Sequence, residues 1–156
     1  MNSLENVIGE LCKIILPIPE ESYIGNTDSS VAICTLSSME LLKKISNSEL
    51  LNHIYIVGRL LSENKGIDSI IKYVNQNKKI KTIIVCGKEV LGHKTGHSLF
   101  ELHKNGIDNH GRIINSTSPN PILTVTKSEI KYFQNEINLV NMINEVNFDT
   151  IKQFVI

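Results

Sequence analysis

The sequence has few cysteines and no excess of charge of either sign, and each absence excludes a class of protein. Its three cysteines form no Cys-x-x-Cys pair, so the chain lacks the spacing of a disulfide framework or of a zinc ribbon. Sixteen basic and sixteen acidic side chains give a formal charge of zero, which leaves no electrostatic footprint for nucleic acid or for an anionic membrane. The expected partners therefore include no nucleic acid.

Long apolar runs are also missing. No stretch approaches the roughly 20 residues that span a bilayer, and the first residues lack the basic flank and apolar core of a secretory signal. We therefore expect a cytoplasmic protein without direct membrane insertion. A chain of 156 residues corresponds to one domain. We place this domain over residues 1–156, with an N-terminal helix and proline segment at 1–20 and an α/β core at 23–156.

What the sequence does contain is a regular alternation of short β-branched runs with stretches of helical periodicity. Strands are predicted at residues 31–36, 53–57, 81–86, 112–114 and 139–143. Helices are predicted at 3–14, around 39–45, 67–74 and 95–105, from a capping box of Thr126 and Glu129 onward, and at 148–155. Such alternation indicates parallel strands joined by right-handed crossovers.

The predicted fold is an open, doubly wound α/β sheet that is mainly parallel, with about five strands and helices on both faces. Ligands of such sheets bind outside the carboxyl ends of the strands. The loops that face this edge are Gly58–Gly66, Gly87–Gly96 and Asn115–Pro121. Candidate functional residues are therefore sought in these three loops.

The second of these loops permits three kinds of site, of which the first is a phosphate loop. Gly87 and Gly92 have the spacing of G-x-x-x-x-G-K-[ST], but His93 occupies the position of the lysine, and Lys94 and Thr95 are shifted by one residue. A nucleotide-binding protein that uses Gly87–Thr95 is therefore an alternative function.

The second kind of site is a zinc centre. His93 and His97 are four residues apart and share one helical face, and His103 and His110 are further possible ligands. Lys94 stands where a hydrolytic zinc motif has its glutamate. The positive charge of lysine beside a zinc ion would be repulsive. Exposed surface positions are the competing interpretation of His97, His103 and His110.

The third kind of site uses His93 as a lone axial ligand of a metal that a macrocycle already holds. Gly92 and Gly96 flank this histidine and would leave room for a wide, flat ring to approach the backbone. The spacing permits this interpretation without selecting it, and a histidine that simply caps a helix remains the competing interpretation.

The loop also carries a family resemblance. It resembles the hallmark segment of the cobalamin-binding A subunit of tetrahydromethanopterin:coenzyme M methyltransferase, a sodium-pumping complex of methanogenic archaea. The matching string is Cys86-Gly87-x-Glu89-Val90-x-Gly92-His93-x-Thr95-Gly96. Further matches are Glu63-Asn64-x-Gly66-Ile67, Leu102-His103-x-Asn105-Gly106-x-Asp108 and Arg112-Ile113-Ile114, within a resemblance that spans residues 23–151.

The resemblance implies a Rossmann-like fold and a corrinoid-binding methyl carrier. The family's lower axial cobalt ligand falls on His93, which would be both the catalytic residue and the metal ligand. Glu63 or Glu89 would hold the other ring nitrogen, with Glu63 preferred because its loop lies across the crevice. The further residues expected to bind the cofactor are Asn64, Gly66, Gly87, Gly92, Thr95, Gly96, Ser118 and Pro119.

The resemblance also implies partners and a location. Partner methyltransferase proteins would present the methyl donor and the thiol acceptor, so we expect little activity from the chain alone. The family's membrane protein has a C-terminal transmembrane helix, and none follows here before Ile156, so we expect a free-standing cytoplasmic homologue. A corrinoid-free interaction or regulatory module of the same fold is the alternative from another class.

Overall fold

The computed structural model describes residues 22–156, and within them one five-stranded sheet forms the centre of the fold. The helix predicted at 3–14 lies outside the described residues. The strands are β1 (Ser22–Ile24), β2 (Val31–Cys34), β3 (Ile56–Gly58), β4 (Thr82–Gly87) and β5 (Asn138–Ile143). Their order is β1-β3-β2-β4-β5, and every pair is parallel except β1 with β3.

Five α-helices and one short 3-10 helix accompany the sheet in the described part of the chain. They are α1 (Met39–Ser46), the 3-10 helix (Glu49–His53), α2 (Lys65–Gln76), α3 (Thr95–Asn105), α4 (Lys127–Glu136) and α5 (Phe148–Val155). Local side-chain caps begin several of them. Asn64 accepts from Lys65 N–H at the start of α2, and Thr126 and Glu129 form the expected capping box of α4.

Two apolar cores cover the two faces of the sheet. Helices α2, α3 and α4 pack on one face through residues such as Ile71, Leu99 and Phe133. Helix α1 and Ile151 of α5 pack on the other face. The predicted α/β class, with a mainly parallel sheet and helices on both faces, is confirmed.

One predicted strand is wrong. Residues 112–114 make only isolated bridges, from Ile107 to Ile113 and from Arg112 to Ile122, within the long connection between α3 and α4. The fifth place in the sheet belongs instead to β1, a short antiparallel edge strand. The strand predicted at 53–57 also shifts, because a 3-10 helix occupies 49–53 and β3 begins at Ile56.

The carboxyl ends of β2, β3 and β4 bring their loops together at one edge of the sheet. The β2 and β4 loops are joined directly, since Ser37 Oγ donates to Lys88 O at 2.7 Å and Lys88 N–H donates to Ser38 Oγ at 2.8 Å. A Cβ on Gly87, whose φ is +78°, would lie 2.2 Å from Thr35 O, so only glycine fits this junction. The candidate site lies beside this junction, between the β3 and β4 loops.

Candidate functional site

The centre of the candidate site is a pair formed by His93 and Glu63. Glu63 lies in the loop between β3 and α2, and His93 lies in the loop between β4 and α3. His93 Nδ1 lies 2.8 Å from Glu63 Oε2. The histidine side chain is 53% exposed, whereas the glutamate side chain is only 3% exposed. The pair therefore joins a buried carboxylate to an imidazole that faces solvent.

The carboxylate of Glu63 determines which nitrogen of His93 carries the proton. Burial favours the protonated form of Glu63, but hydrogen bonds from its own backbone N–H, from Asn120 N–H and from His93 outweigh it and hold its pKa below the ordinary value. Asn120 N–H donates to Oε1 at 2.9 Å. An ionised carboxylate only accepts hydrogen bonds, so a neutral His93 donates Nδ1–H to it. The lone pair is then on Nε2, the ring nitrogen that does not contact Glu63.

The space next to Gly92, the residue before His93, is open. A Cβ on Gly92 would meet no heavy atom of the described residues within 4 Å, and its φ of +77° favours glycine. The preceding Leu91 is 95% exposed. Gly96, in contrast, is closely packed, because a Cβ there would lie 2.9 Å from Glu89 Oε2 and 3.0 Å from Ile143 Cδ1. Of the two flanking glycines, only Gly92 leaves room for a ligand.

Glu89 is engaged elsewhere and does not contact His93. Its carboxylate accepts from Gly96 N–H at 3.0 Å and from His97 N–H at 2.9 Å, at the first turn of α3. It also accepts from Val90 N–H at 2.9 Å. Glu89 thereby caps α3. Lys94, the residue before this helix, has a left-handed φ of +48° and its side chain makes no capping hydrogen bond. Between the two candidates, the structure pairs His93 with Glu63.

This cap argues against a phosphate loop. A phosphate would need the free N–H groups and the positive end of the α3 dipole. Two of those N–H groups already bind a carboxylate, which brings a negative charge to the same place. The arrangement disfavours the nucleotide-binding alternative.

The zinc alternative also lacks its ligand set. His97 Nε2 accepts from Thr117 N–H at 3.1 Å, so its ring is turned to the connection between α3 and α4. His103 Nε2 lies 2.7 Å from Ile137 O. No group of three or more His, Cys, Asp or Glu residues that could hold a metal ion occurs within residues 22–156.

The remaining expected site residues surround the pair with internal contacts. Thr95 is fully buried, and its Oγ1 donates to Leu60 O at 3.0 Å. Ser118 is buried, with its Oγ 2.6 Å from Ser98 Oγ. Asn64 Nδ2 donates to Asn120 O at 3.2 Å. Gly66 lies where a Cβ would approach Leu60 Cδ1 to 2.8 Å, while Pro119 is exposed.

Sequence reasoning missed Asn120. Its contribution to the site is a backbone N–H, which any residue except proline could supply, so no residue-type pattern marks it. The only sequence signal is its position in the loop Asn115–Pro121, which was expected to face the carboxyl ends of the strands.

No helix within the described residues has both the length and the apolar character that crossing a membrane requires.

Comparison with known proteins gives one family. The family described as the A subunit of tetrahydromethanopterin S-methyltransferase matches residues 16–156. That range includes the whole described sheet and every residue of the candidate site.

Individual relatives agree with this match. The A subunit of the methyltransferase Mtx of Methanosarcina barkeri is 36% identical, over 89% of this chain and 68% of the relative. Two tetrahydromethanopterin S-methyltransferase proteins of Methanothermobacter thermautotrophicus also match. Its A 2 subunit is 32% identical over 86% of this chain and 76% of the relative, and its A 1 subunit is 36% identical over 87% and 56%.

Proposed function

Because the chain belongs to the family of the tetrahydromethanopterin S-methyltransferase A subunit, we propose that it is a corrinoid-binding methyl carrier with His93 as the lower axial ligand of cobalt. The observation that supports this most directly is the pair of His93 and Glu63. Its buried carboxylate holds Nδ1 and leaves the lone pair of Nε2 free to bind a metal, on a side chain that is 53% exposed.

The residues around His93 fit a metal that a macrocycle already holds. A corrin ring supplies the equatorial nitrogens, so the protein needs to add only one donor atom. The space around a Cβ on Gly92, the residue before His93, is open, and Leu91 before it is apolar and exposed. An apolar side chain and a bare backbone suit the flat, partly apolar face of such a ring.

When bound, a corrinoid supplies a cobalt atom that accepts a methyl group from one substrate and gives it to another. The protein's contribution is to hold a neutral imidazole in one orientation. Glu63 fixes the tautomer and the ring orientation of His93 through the hydrogen bond to Nδ1. Asn120 N–H satisfies the other carboxylate oxygen, so Oε2 stays available to His93.

The substrates and partners follow from the family in this proposal. The name of the relatives implies a methyl group that comes from a tetrahydromethanopterin derivative, and the thiol of coenzyme M is the proposed acceptor. Since the relatives are named as one component of a larger assembly, other components present the donor and the acceptor to this carrier. The chain alone then binds the corrinoid but turns over slowly.

A titration with cobalamin tests the proposal. Aquocobalamin is added to the purified protein, and the visible spectrum is followed for the shift that replacement of a cobalt ligand by imidazole causes. We expect a saturable shift for the native chain, no such shift for His93→Ala, and an unchanged shift for His110→Ala, which removes an exposed histidine outside the site.

The other outcomes identify the alternatives. No spectral change with any variant would contradict the proposal and favour a corrinoid-free interaction module. A shift that persists in His93→Ala would assign the ligand to another group. Thermal stabilisation by nucleotides without any response to cobalamin would favour the nucleotide-binding alternative.

A further inference from the structure

Buried polar side chains are concentrated on and around one loop, residues 116–125, in the connection between α3 and α4. Seven polar or charged residues are buried in the part of the chain that the structure describes, and five of them belong to this loop or bond to it. These five are Glu63, Asp68, Ser98, Ser116 and Ser118. Burying polar groups costs free energy unless each finds a partner, so a satisfied cluster fixes one geometry.

Helix α2 anchors the end of the 116–125 loop through Asp68. The side chain of this aspartate accepts from Thr124 N–H at 3.0 Å, from Thr124 Oγ1 at 2.8 Å and from Val125 N–H at 3.2 Å. Asp68 is only 6% exposed. A buried carboxylate with three charge-assisted hydrogen bonds holds this end of the loop firmly.

Helix α3 anchors the start of the same loop through Ser98. Ser98 Oγ lies 2.5 Å from Ser116 Oγ and 2.6 Å from Ser118 Oγ. Ser118 Oγ in turn donates to Lys94 O at 3.2 Å. The start of the loop is therefore tied to the residue that follows His93 in the chain.

Asn120 lies between these two anchors and connects them to the candidate site. Its N–H donates to Glu63 Oε1 at 2.9 Å, and its C=O accepts from Asn64 Nδ2 at 3.2 Å. The position of this peptide group decides which oxygen of Glu63 is available to His93. Neither Asp68 nor Ser98 forms a hydrogen bond with His93, whose side-chain partner is Glu63.

We propose that Asp68 is a positioning residue for His93, which acts by fixing the 116–125 loop and thereby the Asn120 N–H that orients Glu63. Without Asp68 the loop loses its anchor on α2, and the Asn120 N–H is no longer held against Oε1. The Glu63 carboxylate is then free to turn, and the proton of His93 is no longer confined to Nδ1. The effect of Asp68 on corrinoid binding rests on the proposed function. Its effect on the tautomer of His93 does not.

The test measures that tautomer in the protein without corrinoid. Long-range proton–nitrogen NMR spectra of isotope-labelled protein, recorded over a series of pH values, report which ring nitrogen of His93 carries the proton in the neutral form. We expect the Nδ1–H form in the native chain and a mixture with the Nε2–H form in Asp68→Asn. In the same variant we expect cobalamin to bind about tenfold more weakly, as is typical for the loss of a group that orients a metal ligand.

A milder pair of variants covers the case in which Asp68→Asn does not fold. Thr124→Val removes one donor to Asp68 at nearly constant volume, and Thr124→Ser keeps it. We expect Thr124→Val to give a mixture of the two His93 tautomers and Thr124→Ser to retain the Nδ1–H form. The control is Asn75→Ala, also on α2, which loses a bond from Asn75 Nδ2 to Glu129 O at 3.1 Å but does not touch the 116–125 loop.

The outcomes separate the two proposals. A native Nδ1–H tautomer in folded Asp68→Asn and in Thr124→Val would overturn the role of Asp68. An equal change in Asn75→Ala would reduce it to general stability of α2, which also overturns it. If the native chain fails to bind cobalamin, the proposed function fails, while the tautomer of the variants still decides the role of Asp68.

Discussion

At the scale of single residues, Nε2 of the half-exposed His93 is the atom on which the proposed chemistry depends. The orientation of this atom depends on Glu63, a neighbour whose side chain is buried. Glu63 is buried, yet it stays ionised because donors on both of its oxygens compensate for the lost hydration. A buried carboxylate that accepts two such bonds gives a single orientation to an otherwise mobile ring.

The substitution Glu63→Gln tests this dependence. Glutamine keeps the volume of the side chain but replaces one carboxylate oxygen with an NH2 group, so one of the two positions that accept from Asn120 N–H and His93 Nδ1–H carries a donor instead. We expect cobalamin to bind about 10- to 100-fold more weakly, as measured by the spectral titration. Glu101→Gln, on the far part of α3, should leave the affinity unchanged. Equal affinities of the native chain and Glu63→Gln would contradict the prediction.

Glu63 also gives the fold a pH dependence of defined sign. Its pKa is lower in the folded state than its ordinary value of 4.5. A depressed carboxyl pKa stabilises the fold fully above the ordinary value, and this stabilisation is lost as pH falls through the folded pKa. Urea unfolding at a series of acidic pH values should therefore show a shallower loss of stability for Glu63→Gln than for the native chain. The same loss of stability with falling pH in both proteins would contradict this prediction.

At the scale of elements, α3 begins in an unusual way. A typical helix starts with a Ser, Thr, Asp or Asn cap, whereas Lys94 occupies that position with a left-handed backbone. The capping acceptor comes instead from Glu89, five residues earlier. The hydrogen bonds of Glu89 to the first turn of α3 thus join the two ends of the loop that carries His93.

Glu89→Ala should therefore weaken both the helix and the loop. Loss of a capping side chain costs about 0.5–2 kcal/mol of stability, and we expect a value near the upper end because one carboxylate serves several N–H groups. Urea denaturation measures the change in the free energy of unfolding. Glu101→Ala on the same helix is the control and should cost less. A loss below that of the control would refute the capping role.

The elements differ in how well the sequence predicts them, for a physical reason. Helix α3 was predicted at the residues where it lies, and α4 with its capping box, because caps and periodicity are local in the chain. The strand at 112–114 was wrong because a β-branched run becomes a strand only when a partner lies beside it. Its neighbours supply isolated bridges alone.

In the candidate site, too, the sequence predicts the local features but not the contacts between distant residues. The loops of His93 and Glu63 were predicted to meet, since the carboxyl ends of parallel strands share one edge. Asp68, Ser98 and Asn120 were not identified, because their contacts join residues 18 to 57 positions apart. No local pattern marks such residues before the fold is known.

At the scale of the whole molecule, the central strands belong to both cores at once. Cys34 of β2 is packed in the core beneath α2, α3 and α4, and Cys86 of β4 is packed in the core beneath α1 and α5. Both thiols are fully or almost fully buried. Two cores that share their central strands should unfold together as one cooperative unit.

The two cysteines allow a test of this cooperativity without any substitution. Burial raises the pKa of the Cys34 thiol to about 12 and also raises that of Cys86, and thiols react as thiolates. We therefore expect neither to react with an alkylating reagent in the native protein. With increasing urea, both should become reactive over the same concentration range, which peptide mass spectrometry resolves site by site and separates from labelling of Cys12. Reaction of one thiol well before the other would show that the two faces of the sheet open separately, and the single free energy of unfolding used for the capping prediction would then not describe this molecule.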